Sequence, residues 1–220
     1  MRLLILKLVP LVLLVVAGSV LAAEDPDTTA QKLAQEVWKA SGGEHWSKVK
    51  ELRFTFIVEQ DGKQIAAAEH HWDLGAGTDH VKWKGKEVTV NLASPAPDED
   101  GKGAYARWVN DSYWLLAPIK LLDPGVKLTY EGSKETEGVQ CETLRISFDQ
   151  VGLTPSDQYV LYIDPQTKLL RAWDYIPKPD TLMHGTWEKY KDFGGLKLAT
   201  EHNFGGKMIR FDNVQVKTDD

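Results

Sequence analysis

Cysteine is almost missing from this chain. Cys141 stands alone, so no internal disulfide can staple the fold, which must rest on a packed core. No P-loop, G-x-G-x-x-G or G-x-S-x-G motif occurs, which removes the common nucleotide-binding and serine-hydrolase signatures. Positive charge is in deficit, with 26 Lys and Arg against 32 Asp and Glu and no basic cluster, which argues against nucleic acid as a partner. Beyond residue 22 no apolar run reaches membrane length, so the mature chain is expected not to be an integral membrane protein. Internal repeats, low-complexity tracts and linkers are missing too. A single domain over residues 23–220 is the expectation.

What is present begins with an export signal. Arg2 and Lys7 precede the apolar stretch Leu8–Ala17, and Val20-Leu21-Ala22 supplies small residues for cleavage. A retained anchor is the competing reading, but Pro10 and Gly18 interrupt a segment already short for a span. No cysteine follows the run, which disfavours a lipid-anchored start. Losing residues 1–22 removes two basic residues and no acid, taking the formal charge from −6 to −8. The expected location is the periplasm.

Thr28 or Thr29 can cap a helix to about Ala40, with Leu33, Val37 and Trp38 on one face and Gly42-Gly43 as its stop. His45–Val49 can add one more turn. The period then changes from helical to alternating. Leu52, Phe54, Phe56 and Val58 define a half-buried strand. A three-residue loop at Gln60-Asp61-Gly62 predicts Phe54 opposite Ala68 and Phe56 opposite Ala66, turning His70 and Trp72 inward and His71 and Asp73 outward. Across Gly85-Lys86, Val81 and Trp83 are expected to face Val90 and Val88. Ser94–Gly103 reads as a polar surface loop without packing residues, and Ala104–Val109 as a short helix or a strand.

Asn110–Gly132 organises the rest. Its apolar run Tyr113–Leu116 is broken by Pro118, the amphipathic piece Ile119–Leu122 follows, and Asp123-Pro124-Gly125 turns the chain into the strand Val126–Tyr130. Further strands are expected at Val139–Phe148, with a bulge near Glu142, then Gln158–Ile163, Leu169–Ile176, Thr186–Lys191, Leu196–Phe204 and Met208–Val216. Cys141 falls in such a run and reads as a buried, inert thiol. The class is therefore mainly β (α+β). Its architecture is a strongly curved antiparallel sheet, an incomplete β-barrel with the N-terminal helix and short helical segments as plug or lid.

Curvature follows from a shortage of cover. One good helix cannot shelter the bulky side chains of so many strands, so the sheet has to curl and can enclose a gap. The side chains expected to line it are Phe54, Phe56, Trp72, Trp83, Trp108, Tyr113, Trp114, Tyr159 and Trp173, with Lys120 at the mouth.

The export signal, the helix ending in Gly-Gly with Trp46 after it, and the succession of antiparallel strands resemble the outer-membrane lipoprotein carrier/receptor (LolA/LolB-like) superfamily. The run Tyr113-Trp-Leu-Leu-Ala-Pro-Ile-Lys-Leu-Leu-Asp-Pro-Gly and the run from Phe148 to Tyr159 resemble a family of exported proteins of similar architecture. The resemblance implies an incomplete barrel capped by helices around an apolar cavity that takes acyl chains. In carriers an arginine near the first strands holds the lid shut. Arg53 is the arginine of that region here, and the alternation turns it outward.

Candidate chemistry is thin. His71, Asp73 and His80 are the weak candidates for a metal site, since adjacent histidines on a strand face opposite ways and His70 cannot join His71. His184 and His202 can meet if the stretch Leu182–Trp187 lies beside the strand Leu196–Phe204. Asp157 after Pro155 fits turn chemistry. The expected function is a non-enzymatic, monomeric periplasmic protein without cofactor. It would bind a hydrophobic small molecule or lipid, such as a lipoprotein acyl chain, with an envelope protein as a further partner. The alternatives are a metal-assisted hydrolase on His71 and His80, and a partner-binding envelope module acting through Ser94–Gly103.

Overall fold

The computed structural model describes residues 26–219, so the export signal at residues 1–22 lies outside the described residues. Helix α1 (Pro26–Ala40) buries Ala30, Leu33, Ala34 and Val37, which repeat at helical spacing. It stops where Gly42 takes φ +81°, and the short α2 (Gly43–Trp46) follows. Gly42 cannot be replaced without strain, because a Cβ there would sit 1.9 Å from the carbonyl oxygen of Gly195. Gly42→Ala is expected to lower stability by at least about 2 kcal/mol, read as a fall in melting temperature. A variant melting with the parent would contradict the contact.

Strands β1 (Val49–Gln60), β2 (Lys63–Asp73), β3 (Thr78–Trp83) and β4 (Lys86–Asn91) form a meander. After helix α3 (Glu99–Leu116), β5 (Val126–Thr136), β6 (Val139–Phe148), β7 (Gln158–Ile163), β8 (Leu170–Lys178) and β9 (Thr181–Thr186) form a second. The chain ends with β10 (Lys191–Phe193), β11 (Leu196–Leu198), β12 (Glu201–Phe204) and β13 (Lys207–Thr218). Strand β13 lies beside β1, which joins the meanders into one open antiparallel sheet, ordered β4-β3-β2-β1-β13-β12-β9-β8-β7-β6-β5. Strands β10 and β11 make a separate ribbon. Both edges have helical company: α3 packs on β3 and β4, and α1 on β5 and β6. The curved, incomplete barrel is as expected.

Registers differ from the sequence reading in ways that have local causes. The first hairpin turns on two residues, Asp61 (φ +51°) and Gly62 (φ +71°), with Gln60 opposite Lys63. A bulge then leaves Ile65 unpaired between Ala66 and Gln64, so Phe54 faces His70 and Phe56 faces Ala68. The extra residue restores the parity that the short turn alone would break. His70 and Trp72 therefore do point inward, while Arg53 lies on the outer face, bonded to Glu51 at 3.1 Å. In the second hairpin the turn is Lys84-Gly85, both at positive φ, which sets Val81 opposite Val88 and Trp83 opposite Lys86. The bulge expected near Glu142 falls on the partner strand, where Gly132 (φ +80°) accommodates it between Tyr130 and Ser133. Cys141 is fully buried on β6, and burial pushes its thiol up.

The largest correction is α3. Residues 99–103 are not loop but the first turns of an eighteen-residue helix, and Tyr113–Leu116 is its last turn. Asp98 caps it, accepting a hydrogen bond from the Gly101 amide at 2.7 Å, and Glu99 and Asp100 complement its positive end. Gly101 is needed where the helix touches Ala96, whose Cβ would be 2.6 Å from an added Cβ. The buried face runs Gly101, Ala104, Asp111, Ser112, Leu115. Two polar residues and a glycine at those positions hid the helical period.

Candidate functional site

The last turns of α3 reach over β6, β7, β8 and β12 without filling the space beneath. A cavity of about 510 Å³ remains, within the range typical of small-molecule sites. Trp173 on β8, 1% exposed, is the centre of the aromatic cluster that forms its wall. The rings of Trp114, Tyr159 and Tyr113 lie 4.6, 4.7 and 5.9 Å from Trp173. Phe148 and Phe204 extend the apolar wall, and Val151 and Leu153 stand partly exposed beside it. Burial raises the phenols of Tyr113 and Tyr159 above their ordinary range, so both stay protonated donors.

Of the side chains expected at the cavity, Trp108, Tyr113, Trp114, Tyr159, Trp173 and Lys120 line it. Four others pack elsewhere. Phe54 stacks on His70 with 4.5 Å between centroids, and Phe56 sits edge-on to Phe211 at 5.6 Å. Trp72 is wedged between Trp46 and Trp108, at 5.7 and 5.2 Å. Trp83 lies under the Arg107 guanidinium at 4.6 Å in a small second core. Residues not anticipated are Tyr105, Phe148, Val151, Leu153, Tyr175 and Phe204. Tyr175 was readable, because it shares a strand face with Trp173 at spacing two.

Charge in the cavity wall is internally paired. Lys120 Nζ is 2.9 Å from Asp123, and Tyr175 donates to Asp157 at 2.7 Å. Burial and then that carboxylate push the Tyr175 phenol up to about 12.

A buried ionic cluster pins α3 to the sheet. His70 Nδ1 is 2.6 Å from Asp79 on β3, and Nε2 is 3.0 Å from Asp111 on α3. The imidazole and the Asp79 side chain are fully buried, and Asp111 is nearly so. Burial by itself pushes the imidazole pKa down, but the hydrogen bonds to Asp111 and Asp79 outweigh it and hold it at about 9. His70 is thus an imidazolium at neutral pH. Its burial was legible from alternation; its partner 41 residues away was not.

The histidines considered as metal ligands are separately occupied. His71 bonds Glu51 at 3.1 Å, His80 bonds Thr89 and Glu87 at 2.8 Å each, and Asp73 accepts from the Ala76 amide. Among the described residues no three His, Cys, Asp or Glu side chains are grouped to hold a metal ion. His184 and His202 do not meet. His184 faces outward to Asp174 at 2.7 Å, whereas His202 is buried against Trp114 and Trp187, where desolvation lowers it to about 4.

No family model matches the sequence, and no curated protein does. Solved structures match over most of the chain. A LolA superfamily protein from Nitrosomonas europaea superimposes with TM-score 0.55 at 7% identity, covering 87% of this chain and 94% of that one. This chain has the LolA-like fold. A DUF1329 family protein from Desulfovibrio piger matches at TM-score 0.53 and 13% identity, over 88% and 94% of the two chains. An outer membrane lipoprotein-sorting protein domain from Vibrio parahaemolyticus matches at 0.51 and 9%, over 87% and 94%. At such identities the likeness is one of fold. Within this LolA-like fold, α3 and the aromatic wall around Trp173 define the cavity of this particular chain. No helix among the described residues is long and apolar enough to cross a membrane.

Proposed function

We propose that this protein holds a hydrophobic ligand, a lipid or the acyl part of a lipoprotein, in the cavity beneath α3, and that it does so in the periplasm without catalysing a reaction. The observation that carries this reading is the open space of about 510 Å³ ringed by Trp173, Trp114, Tyr113, Tyr159, Phe148 and Phe204. These rings close on Trp173 and on one another, and the space opens beside them under the last turns of α3. Exposed Val151 and Leu153 at the wall give a partner protein of the envelope a place to meet the ligand.

Burial is worth about 0.8 kcal/mol per methylene, against an association cost of roughly 4–15 kcal/mol, so only chains of about ten carbons or more should bind measurably. A fluorescent fatty-acid analogue is expected to brighten on binding the purified protein and to be displaced by long-chain but not short-chain lipids. Val109→Trp, which pushes an indole into the cavity from α3, should weaken the probe at least tenfold. Absence of brightening, or displacement indifferent to chain length, would refute the assignment.

A further inference from the structure

The hydrogen-bonding groups of the cavity are unequally spent. Its charged residues Lys120, Asp123 and Asp157 all have partners within the protein, as described above. Of its neutral donors, Tyr175 and Asn110 are paired and others are not. The hydroxyls of Ser112, Tyr113 and Tyr159 and the Trp114 indole N–H have no hydrogen-bond partner among the described residues, and the indole N–H groups of the lining residues Trp108 and Trp173 are buried without one. The N–H groups of Trp108 and Trp173 are shut off from water, whereas the other four donors reach the water of the cavity. A ligand that fills the cavity strips that water, so each of these N–H and O–H groups then needs an acceptor from the ligand or costs its desolvation. Tyr113, Trp114 and Tyr159 all pack around Trp173, which brings three of these donors to one end of an otherwise apolar wall.

Such a wall suits a ligand that brings acceptors but no charge. A free carboxylate or phosphate would enter without a counter-ion, since Lys120 already faces Asp123. A plain hydrocarbon would leave the donors unmet. A carbonyl oxygen next to an alkyl chain answers both demands.

Resting on the reading that the cavity holds an acyl lipid, we propose that it selects uncharged acyl esters or amides, whose carbonyl oxygen accepts from Tyr113, Tyr159 and Trp114 beside Trp173. Ser112 supplies a further donor, and the alkyl chain lies along Phe148 and Phe204.

The test compares two lipids of equal chain length, 1-monomyristoylglycerol and its ether analogue 1-O-tetradecylglycerol, in displacing a fluorescent fatty-acid probe from the full mature chain. The ester is expected to bind about tenfold more tightly, and the ratio should fall towards one in Tyr113→Phe/Tyr159→Phe, with near-ultraviolet circular dichroism reporting that the variant is folded. Trp114→Phe should lower the ratio in the same direction. Equal displacement by ester and ether overturns the proposal while leaving lipid binding intact. A tenfold ratio that survives in the double variant also overturns it, since the carbonyl is then read elsewhere. If neither lipid displaces the probe, the proposal falls together with the reading beneath it.

Discussion

His70→Leu is expected to lower the unfolding free energy by about 3–5 kcal/mol, the size typical of breaking a buried charge pair by removing one partner. Among the described residues the imidazolium is the one cation facing both Asp79 and Asp111. Without it Asp79 has no side-chain donor among the described residues, and one of its oxygens is already unpartnered there. Asp111 keeps only the amide of Asn110, at 2.8 Å. The sheet face offers no rescue, since the neighbours of His70 there are Phe54 and, beyond it, Phe211. The same cluster sets a pH dependence. Folding raises the imidazole pKa from 6.5 to about 9, so its contribution is complete below about pH 6.5 and is lost as pH rises through about 9. At roughly 1.4 kcal/mol per unit this amounts to about 3 kcal/mol. Urea unfolding of parent and His70→Leu at pH 6 and pH 10 measures both effects, and the gap between the two proteins should narrow at the higher pH. A gap under 1 kcal/mol at pH 6, or one that does not narrow, would show that the cluster is not ionised as described. Because Asp111 belongs to α3, loss of the latch should also speed amide exchange in residues 104–116 ahead of the sheet.

Trp173→Ala is expected to cost about 3–5 kcal/mol. Trp173 is 1% exposed and touches the rings of Tyr113, Trp114, Tyr159 and Trp187, the last at 5.1 Å. Its removal deletes a large apolar surface at the point where α3, β7 and β8 meet, and the neighbours cannot all collapse inward because Gly185 behind it carries no side chain. Trp173→Phe keeps an aromatic surface and should lose less. Denaturant midpoints order the three proteins. A loss below 1 kcal/mol for the alanine variant would mean that the wall relaxes into the gap, and the cavity could not then be as rigid as its packing indicates.

The carrier-like half-barrel was legible because its signals are local. Alternating side chains, Asp-Gly and Gly-Gly turns, and the Gly42 stop each act over a few residues, and together they specified hairpins and inward faces. The cavity's aromatic wall on β7 and β8 was legible for the same reason. Helix α3 was not, since its buried face carries Gly101, Asp111 and Ser112, and a polar residue reads as exposed until its partner is known. Nor was the bulge at Ile65, which exchanges one unpaired residue for a better match of Phe54 with His70.

Taken by itself, the chain's sequence determined most of the segments that become strands, which faces turn inward and that the sheet would curl. It misplaced β9, which falls at Thr181–Thr186 and not at Thr186–Lys191, and joined β11 and β12 into one strand. The tertiary structure alone decided which aromatics close into core and which stand around a space, because that depends on where α3 crosses the sheet. That crossing is held by the His70 ring between Asp79 and Asp111, and by Tyr113 and Trp114 against Trp173, groups that are remote along the chain and adjacent only after folding.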